Sequence, residues 1–255
     1  MTHLPRARKR FGQHYLADEA VLQRIADVVR ARETDRLLEI GPGTGALTSY
    51  LFGSTARYLA VELDRDLIDP LKVRFPGLEL VSADILKVDL DALLEPPGWR
   101  VVGNLPYNIS SPLLIKLFGH LDRIEDAHFM FQKELGARLA ATPGTKSWGR
   151  LGVVTQYFCL VEPLFDVPPE AFLPPPKVHS QLVRLTPRPE LAAVDLERFN
   201  KVLRFAFSAR RKRIANALKT LRVDWARVSV NQGARADDIS VEEFISLANA
   251  LEGDQ

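Results

Sequence analysis

At 255 residues the chain is long enough for one large domain, or a domain with a small appendage, and its 46% hydrophobic and 26% charged residues make a globular composition, not a disordered one. A net charge of +2 does not by itself mark a nucleic-acid binder, and the single cysteine, Cys159, excludes an intrachain disulfide and a cysteine-built zinc site. No apolar run approaches the ~20 residues of a membrane span, and the basic N-terminus leads into Phe11-Gly12-Gln13-His14 instead of an apolar signal core, so a soluble cytoplasmic protein in a reducing compartment is expected.

Cations gather first at Arg6, Arg8, Lys9 and Arg10. Asp18 is then placed to cap a helix in which Val21, Leu22, Ile25, Val28 and Val29 share one face. Residues 37–40 predict a short buried strand, broken by Gly41-Pro42-Gly43-Thr44-Gly45 ahead of an apolar, helical run over 46–52. Residues 58–61 predict a second strand closed by Glu62, with Asp64 capping a helix to about Phe75; Pro70 lies too deep there for a first-turn proline and predicts a kink or an early stop. A third strand, 78–81, ends near Asp84, and a fourth, 100–102, ends at Asn104. Helix over 113–121, strand over 127–131 and helix over 134–141 follow. The alternation predicts an α/β fold with a mostly parallel sheet covered on both faces.

Past a surface loop at 142–146, residues 151–158 read as a helix and 160–165 as a strand. Pro168-Pro169 and Pro174-Pro175-Pro176 bracket Phe172 in a rigid loop, and 178–185 alternates as a strand should. Pro187 and Pro189 mark a boundary, after which the apolar spacing is helical. The expected division is a domain over 1–187 with a basic N-terminal arm and a small all-helical domain over 188–255.

The glycine turn is not the dinucleotide pattern G-x-G-x-x-G, yet such a turn after a first strand lets a ligand approach the backbone at the carboxyl ends of the strands. Glu62 ends the second strand, where an acidic side chain can bond ribose hydroxyls; no G-K-[ST] follows the turn, which argues against an ATPase. A tight turn with an incidental acid is the plain alternative. Asp84, in the same relative place, can meet an adenine amine, although aspartate is also a common cap. Gly41, Glu62, Asp84 and Asn104 together line one edge of the sheet, where open α/β folds bind ligands, and an adenosine-bearing cofactor is expected there.

Asn104-Leu105-Pro106-Tyr107 places an amide, a carbonyl and a ring at one turn. The Asn104 side-chain oxygen and the Leu105 carbonyl can accept from an exocyclic amine, and Tyr107 can stack on the base. An ordinary strand-to-helix turn uses the same residue types. His14 and His179 have no evident partner, and no metal-ligand cluster is visible. Arg210, Arg211, Lys212 and Arg213, with Asn216 and Lys219 after them, put cations around a helix, either as phosphate contacts or as a solvated face.

The runs Phe11-Gly12-Gln13-His14-Tyr15-Leu16, Glu39-Ile40-Gly41-Pro42-Gly43, Glu62-Leu63-Asp64, Gly103-Asn104-Leu105-Pro106-Tyr107-Asn108-Ile109-Ser110, Phe129-Met130-Phe131-Gln132-Lys133-Glu134, Pro174-Pro175-Pro176-Lys177-Val178 and Phe207-Ser208-Ala209-Arg210-Arg211-Lys212 resemble those of the bacterial dimethyladenosine transferases. That family methylates N6 of two adjacent adenosines in a hairpin near the 3′ end of small-subunit (16S) ribosomal RNA, and the resemblance spans nearly the whole chain. It implies a Rossmann-like methyltransferase domain with S-adenosylmethionine as donor, no metal, and 16S rRNA within the 30S subunit or its precursor as partner in ribosome biogenesis. It further implies cofactor contacts from His14, Leu16, Gly41, Glu62, Asp84 and Asn104. Asn104 and Leu105 would take the adenine amine, Tyr107 one face of the base and Phe172 the other. His14 stands where the family pattern F-G-Q-N-F-L has asparagine, and Tyr15 where it has phenylalanine.

Two other readings share these residues. One is a large-subunit rRNA adenine methyltransferase of the antibiotic-resistance type, whose tetrapeptide resembles N-I-P-Y. The other is an RNA-binding ribosome assembly factor with secondary activity. A DNA adenine methyltransferase would carry N-P-P-Y. With no obvious extra apolar face, a monomer is expected.

Overall fold

The computed structural model describes residues 13–252. Arg6, Arg8, Lys9 and Arg10, and the Phe11-Gly12 start of the first motif, lie outside them. The chain forms two compact units: one holds the described residues up to Gly136 with Glu162–Pro187, the other Ala137–Val161 with the residues from Arg188 onward.

In the first unit, strand β1 (Tyr15–Leu16) leads into helix α1 (Glu19–Val29). Asp18 caps it as expected, its Oδ1 accepting from the Val21 amide at 3.0 Å. Leu22, Ile25 and Val29 form its buried face, and it stops at Arg30, which takes a left-handed φ of 50°. Then follow β2 (Arg36–Ile40), α2 (Thr48–Leu51), β3 (Arg57–Glu62), α3 (Ile68–Arg74), β4 (Glu79–Ser82), α4 (Leu90–Leu93), β5 (Trp99–Asn104), α5 (Ser110–Leu117) and β6 (Ile124–Gln132). The chain continues through α6 (Lys133–Leu139) and, in the second unit, α7 (Arg150–Phe158) to β7 (Cys159–Val167), β8 (Phe172–Leu173) and β9 (Ser180–Pro187).

The main sheet has the order β4-β3-β2-β5-β6-β9-β7. From β4 to β6 every pairing is parallel, and β9 runs antiparallel to β6. The near-continuous apolar sequence of β2, β3 and β5 is what a sheet covered on both faces requires, and those strands are buried along almost their whole length. This is the Rossmann-like α/β fold expected. Its apolar cluster on one face gathers Leu22, Ile25 and Val29 of α1 against Leu37, Ala60, Val102 and Met130.

Three local features differ from expectation. Pro70 neither kinks nor stops its helix, because the first turn after Asp64 is a 3₁₀ turn (Arg65–Leu67); α3 proper begins at Ile68, so Pro70 falls in its first turn, where no intrahelical donor is needed. The helix after the glycine turn is confined to Thr48–Leu51. β1 and β8 form a separate antiparallel ribbon with Tyr15 opposite Leu173 and Leu16 opposite Phe172, a pairing between distant segments for which two-residue strands offer no periodicity.

The second unit holds α8 (Leu196–Ser208), α9 (Ile214–Ala217) and α10 (Val241–Asn249). The break after Pro187 lies where the prolines place it, but Ala137–Val161 groups with the tail instead of the sheet. Packing explains this: Trp148, Val153 and Tyr157 share one apolar cluster with Phe199, Leu203 and Phe244, and the Trp148 indole N–H donates to the Ile239 carbonyl at 2.9 Å.

Candidate active site

The carboxyl ends of the first four parallel strands open onto one cavity of about 300 Å³. Its wall includes His14, Leu16, Gly41, Glu62, Asp84, Asn104, Leu105 and Tyr107, so the fold brings together eight of the residues singled out from sequence. Backbone bonds set the strand ends in step: the Gly41 amide donates to the Val61 carbonyl at 2.9 Å and the Ala83 amide to the Glu62 carbonyl at 3.0 Å.

Glu62 is 5% exposed and both carboxylate oxygens are already held, Oε2 by the Gly43 amide at 3.0 Å and Oε1 by the Asp64 amide at 2.7 Å. Burial raises its pKa, against the pull of those two amides. A carboxylate fixed in this way keeps lone pairs for a pair of vicinal hydroxyls. Gly41 has φ +69° and no atom lies within 4 Å of where a side chain would begin, so the turn leaves room for a ligand against the backbone. Asp84 orders the next loop by accepting from the Leu86 amide at 3.0 Å.

Asn104 owes its position to Gly103: a Cβ there would stand 2.8 Å from the Ile40 carbonyl oxygen, so only glycine lets β5 lie this close to β2. The Asn104 Nδ2 donates to the His14 carbonyl at 2.9 Å, which leaves Oδ1 as the free acceptor of the amide. Tyr107 is anchored through its hydroxyl to Ser180 Oγ at 2.8 Å, and burial raises its pKa, so it presents a neutral phenol ring.

Glu39 was not singled out as a site residue from sequence, although an acid inside the apolar run Leu37-Leu38-Glu39-Ile40 is a usable signal. It is 2% exposed, borders the cavity, and its Oε2 accepts from Thr48 Oγ1 at 2.6 Å and from the Tyr58 hydroxyl at 2.7 Å. Burial pushes its carboxyl from 4.5 up to about 7 despite those two bonds. A carboxyl raised on folding favours the folded state below pH 4.5, and that contribution is lost as pH rises through about 7. Glu39→Gln should therefore flatten the stability profile over this window. At about 1.4 kcal/mol per pH unit, the variant gains about 3 kcal/mol on the parent between pH 4.5 and 8, read from urea midpoints; parallel profiles would refute it.

Also missed was His128, 1% exposed, which borders the cavity with neither ring nitrogen hydrogen-bonded. Burial lowers its pKa to about 4, so it is neutral at pH 7.

Phe172 is 1% exposed, packs in the same apolar cluster as the buried face of α1, lies opposite Leu16 in the β1–β8 ribbon, and is not among the residues that line the cavity. Arg210, Arg211, Lys212 and Arg213 are not on a helix but in the turn between α8 and α9. Arg210 is used within its own unit: Nε meets Asp237 Oδ1 at 2.5 Å, and Nη2 donates to the Lys146 and Trp148 carbonyls at 2.8 and 3.0 Å. Arg211, Lys212 and Arg213 are exposed. Among the described residues no helix is long and apolar enough to cross a membrane.

Comparison with known proteins agrees with this geometry. The family model described as ribosomal RNA adenine dimethylase matches residues 5–253. A ribosomal RNA small subunit methyltransferase A from Pseudomonas aeruginosa is 51% identical over 255 residues, covering 96% of this chain and 95% of that protein. The crystal structure of a dimethyladenosine transferase from Plasmodium falciparum superposes with a TM-score of 0.78 at 26% identity, covering 93% of this chain and 99% of that one. That of the 23S rRNA methyltransferase ErmE gives 0.75 at 28% identity with the same coverage.

Proposed function

The chain belongs to the ribosomal RNA adenine dimethylase family, and from that premise we propose that it dimethylates N6 of two adjacent adenosines in a hairpin near the 3′ end of 16S rRNA, within the 30S subunit or its precursor, as a cytoplasmic monomer. It is an S-adenosylmethionine-dependent rRNA adenine methyltransferase. The observation that carries the proposed site is the Asn104 amide. With Nδ2 spent on His14, its oxygen is left to accept, on a residue that lines the same cavity as Gly41, Glu62 and Asp84.

The cavity fits the donor. Glu62 would hold the ribose hydroxyls, Asp84 the adenine amine, the open Gly41 turn the methionine part, and Leu16 the apolar side. When bound, the donor supplies a methyl group on a positively charged sulfur. Adenine N6 is a poor nucleophile because its lone pair is delocalised into the ring. Asn104 Oδ1 and the Leu105 carbonyl accept its two hydrogens, which localises the lone pair and aims it, while Tyr107 holds the ring plane. The catalysis is mostly positioning and fixed dipoles. The proton released from the methylated nitrogen passes to water.

Labelled donor offered with under-methylated 30S particles, 50S particles or duplex DNA tests the reading. Dimethyladenosine on 30S is expected; its absence there would overturn the assignment. Label on 50S would favour the large-subunit alternative, which the likeness to ErmE supports but Leu105 in the tetrapeptide and the 51% identity to a small-subunit enzyme do not.

The exposed Arg211, Lys212 and Arg213 are proposed as phosphate contacts. Arg211→Ala with Arg213→Ala should weaken RNA binding and reduce the slope of log K against log salt by about 0.7–0.9 for each phosphate that is no longer neutralised. An unchanged slope would make them a solvated surface.

A further inference from the structure

Helix α5 buries Ser110, Leu113, Leu114 and Leu117, and its one cation, Lys116, is half-buried. The Lys116 Nζ donates to two backbone carbonyls of the 83–88 loop, that of Ile85 at 2.9 Å and that of Val88. Asp84, Ile85 and Leu86 of the same loop line the cavity. We infer that Lys116 is a positioning residue of the donor site, its ammonium fixing the loop that carries Asp84 and thereby the site's preference for an adenine amine; this rests on the donor-binding reading of the cavity.

The loop's own bonds converge on Asp84. The Leu86 amide donates to Asp84 Oδ1 at 3.0 Å, and the Lys87 and Val88 amides donate to the Asp84 carbonyl at 2.8 and 3.1 Å. These bonds close a single turn, which carries the nucleation cost of a helix without the gain of propagating one. An ammonium shared between two of its carbonyls is a charge-assisted contact that offsets this cost. The helix that supplies the ammonium is itself bonded to the Asn104 turn: the Ile109 amide donates to the Pro106 carbonyl at 3.1 Å, and Ser110 Oγ donates to the same carbonyl at 3.3 Å. From Ser110 to Lys116 is about 9 Å of helix. One rigid element therefore aligns the loop for the donor's adenine with the turn for the target's. A lysine that only stabilised the fold would instead weaken every occupant of the cavity alike.

The test measures, by calorimetry on the full chain without RNA, the binding of S-adenosylhomocysteine, the donor without its methyl, and of S-inosylhomocysteine, which has a carbonyl in place of the adenine amine. The parent should prefer the adenosine form. Lys116→Met keeps an apolar stem and loses the ammonium, and should bind S-adenosylhomocysteine about 10-fold more weakly, the worth of one hydrogen bond to a charged group. It should bind the inosine form within about twofold of the parent, because that form never made the amine contact. KM for the donor should rise by the same factor with kcat on 30S particles nearly unchanged, the signature of lost ground-state binding. Lys116→Cys should behave like Lys116→Met, and alkylating it with bromoethylamine, which rebuilds an ammonium on a stem of the same length, should restore the preference; Cys159, 1% exposed, is shielded from the reagent. Equal losses for the two compounds, an unchanged affinity for S-adenosylhomocysteine, or an alkylated variant that stays weak overturns the inference. A parent that binds both forms alike takes Asp84 off the amine and overturns it too. The binding measurements involve no RNA, so a parent that shows the preference but is inactive on 30S particles fails the functional reading alone.

Discussion

Asn104→Ala is expected to lower kcat for dimethyladenosine formation on 30S particles by about 10²–10³-fold, the range seen when one preorganised polar group facing the reacting atoms is removed. The amine becomes reactive only as its hydrogens find acceptors, and the alanine variant keeps just the Leu105 carbonyl. Water entering the space would not substitute well, because a mobile dipole must be reordered in each turnover, whereas Oδ1 is held by the 2.9 Å bond from its own Nδ2 to His14. Asn104→Asp separates the two jobs of the amide. It retains acceptor oxygens but cannot donate to the His14 carbonyl, so it should fall between the parent and the alanine variant if acceptance from the amine dominates. Single-turnover rates at saturating donor make the measurement. A loss below about tenfold in Asn104→Ala would remove the acceptor role from the mechanism.

Much of this site was legible because its parts sit at strand ends. Gly41, Glu62, Asp84 and Asn104 each follow an apolar run, and parallel order alone carries them to one edge. Asp18 was legible as a cap for the same reason: its chemistry is satisfied within three residues. What sequence left illegible depended on distance along the chain. A base-facing phenylalanine and a core phenylalanine look alike in sequence, and nothing in the spacing shows that Phe172 comes to lie opposite Leu16. Ala137–Val161 joins the helical unit through Trp148, whose partners come after residue 198. Arg210 counted as one cation among four until Asp237 and two carbonyls claimed it.

Arg100→Leu is expected to destabilise the first unit by about 3–5 kcal/mol, the cost of leaving buried charges without their partner. Arg100 is 6% exposed at the start of β5, and its guanidinium grips Asp126 of β6 twice, at 3.0 and 2.7 Å. Nη1 reaches Asp35 just ahead of β2 at 2.9 Å and the Arg30 carbonyl at the end of α1 at 3.2 Å. One planar fork therefore joins three adjacent strands and the helix above them, and leucine would fill the space while stranding two carboxylates. Asp126→Asn added to Arg100→Leu removes one stranded charge and should recover part of the loss, so the two changes will not be additive. Urea midpoints of the full chain measure both, and a shift below about 1 kcal/mol would show that apolar packing alone holds these strand ends. Four residues of extended chain, about 13 Å, separate Arg100 from Asn104. The folded fraction of Arg100→Leu should accordingly keep the parent kcat, the reverse of Asn104→Ala, which should lose chemistry and keep its fold.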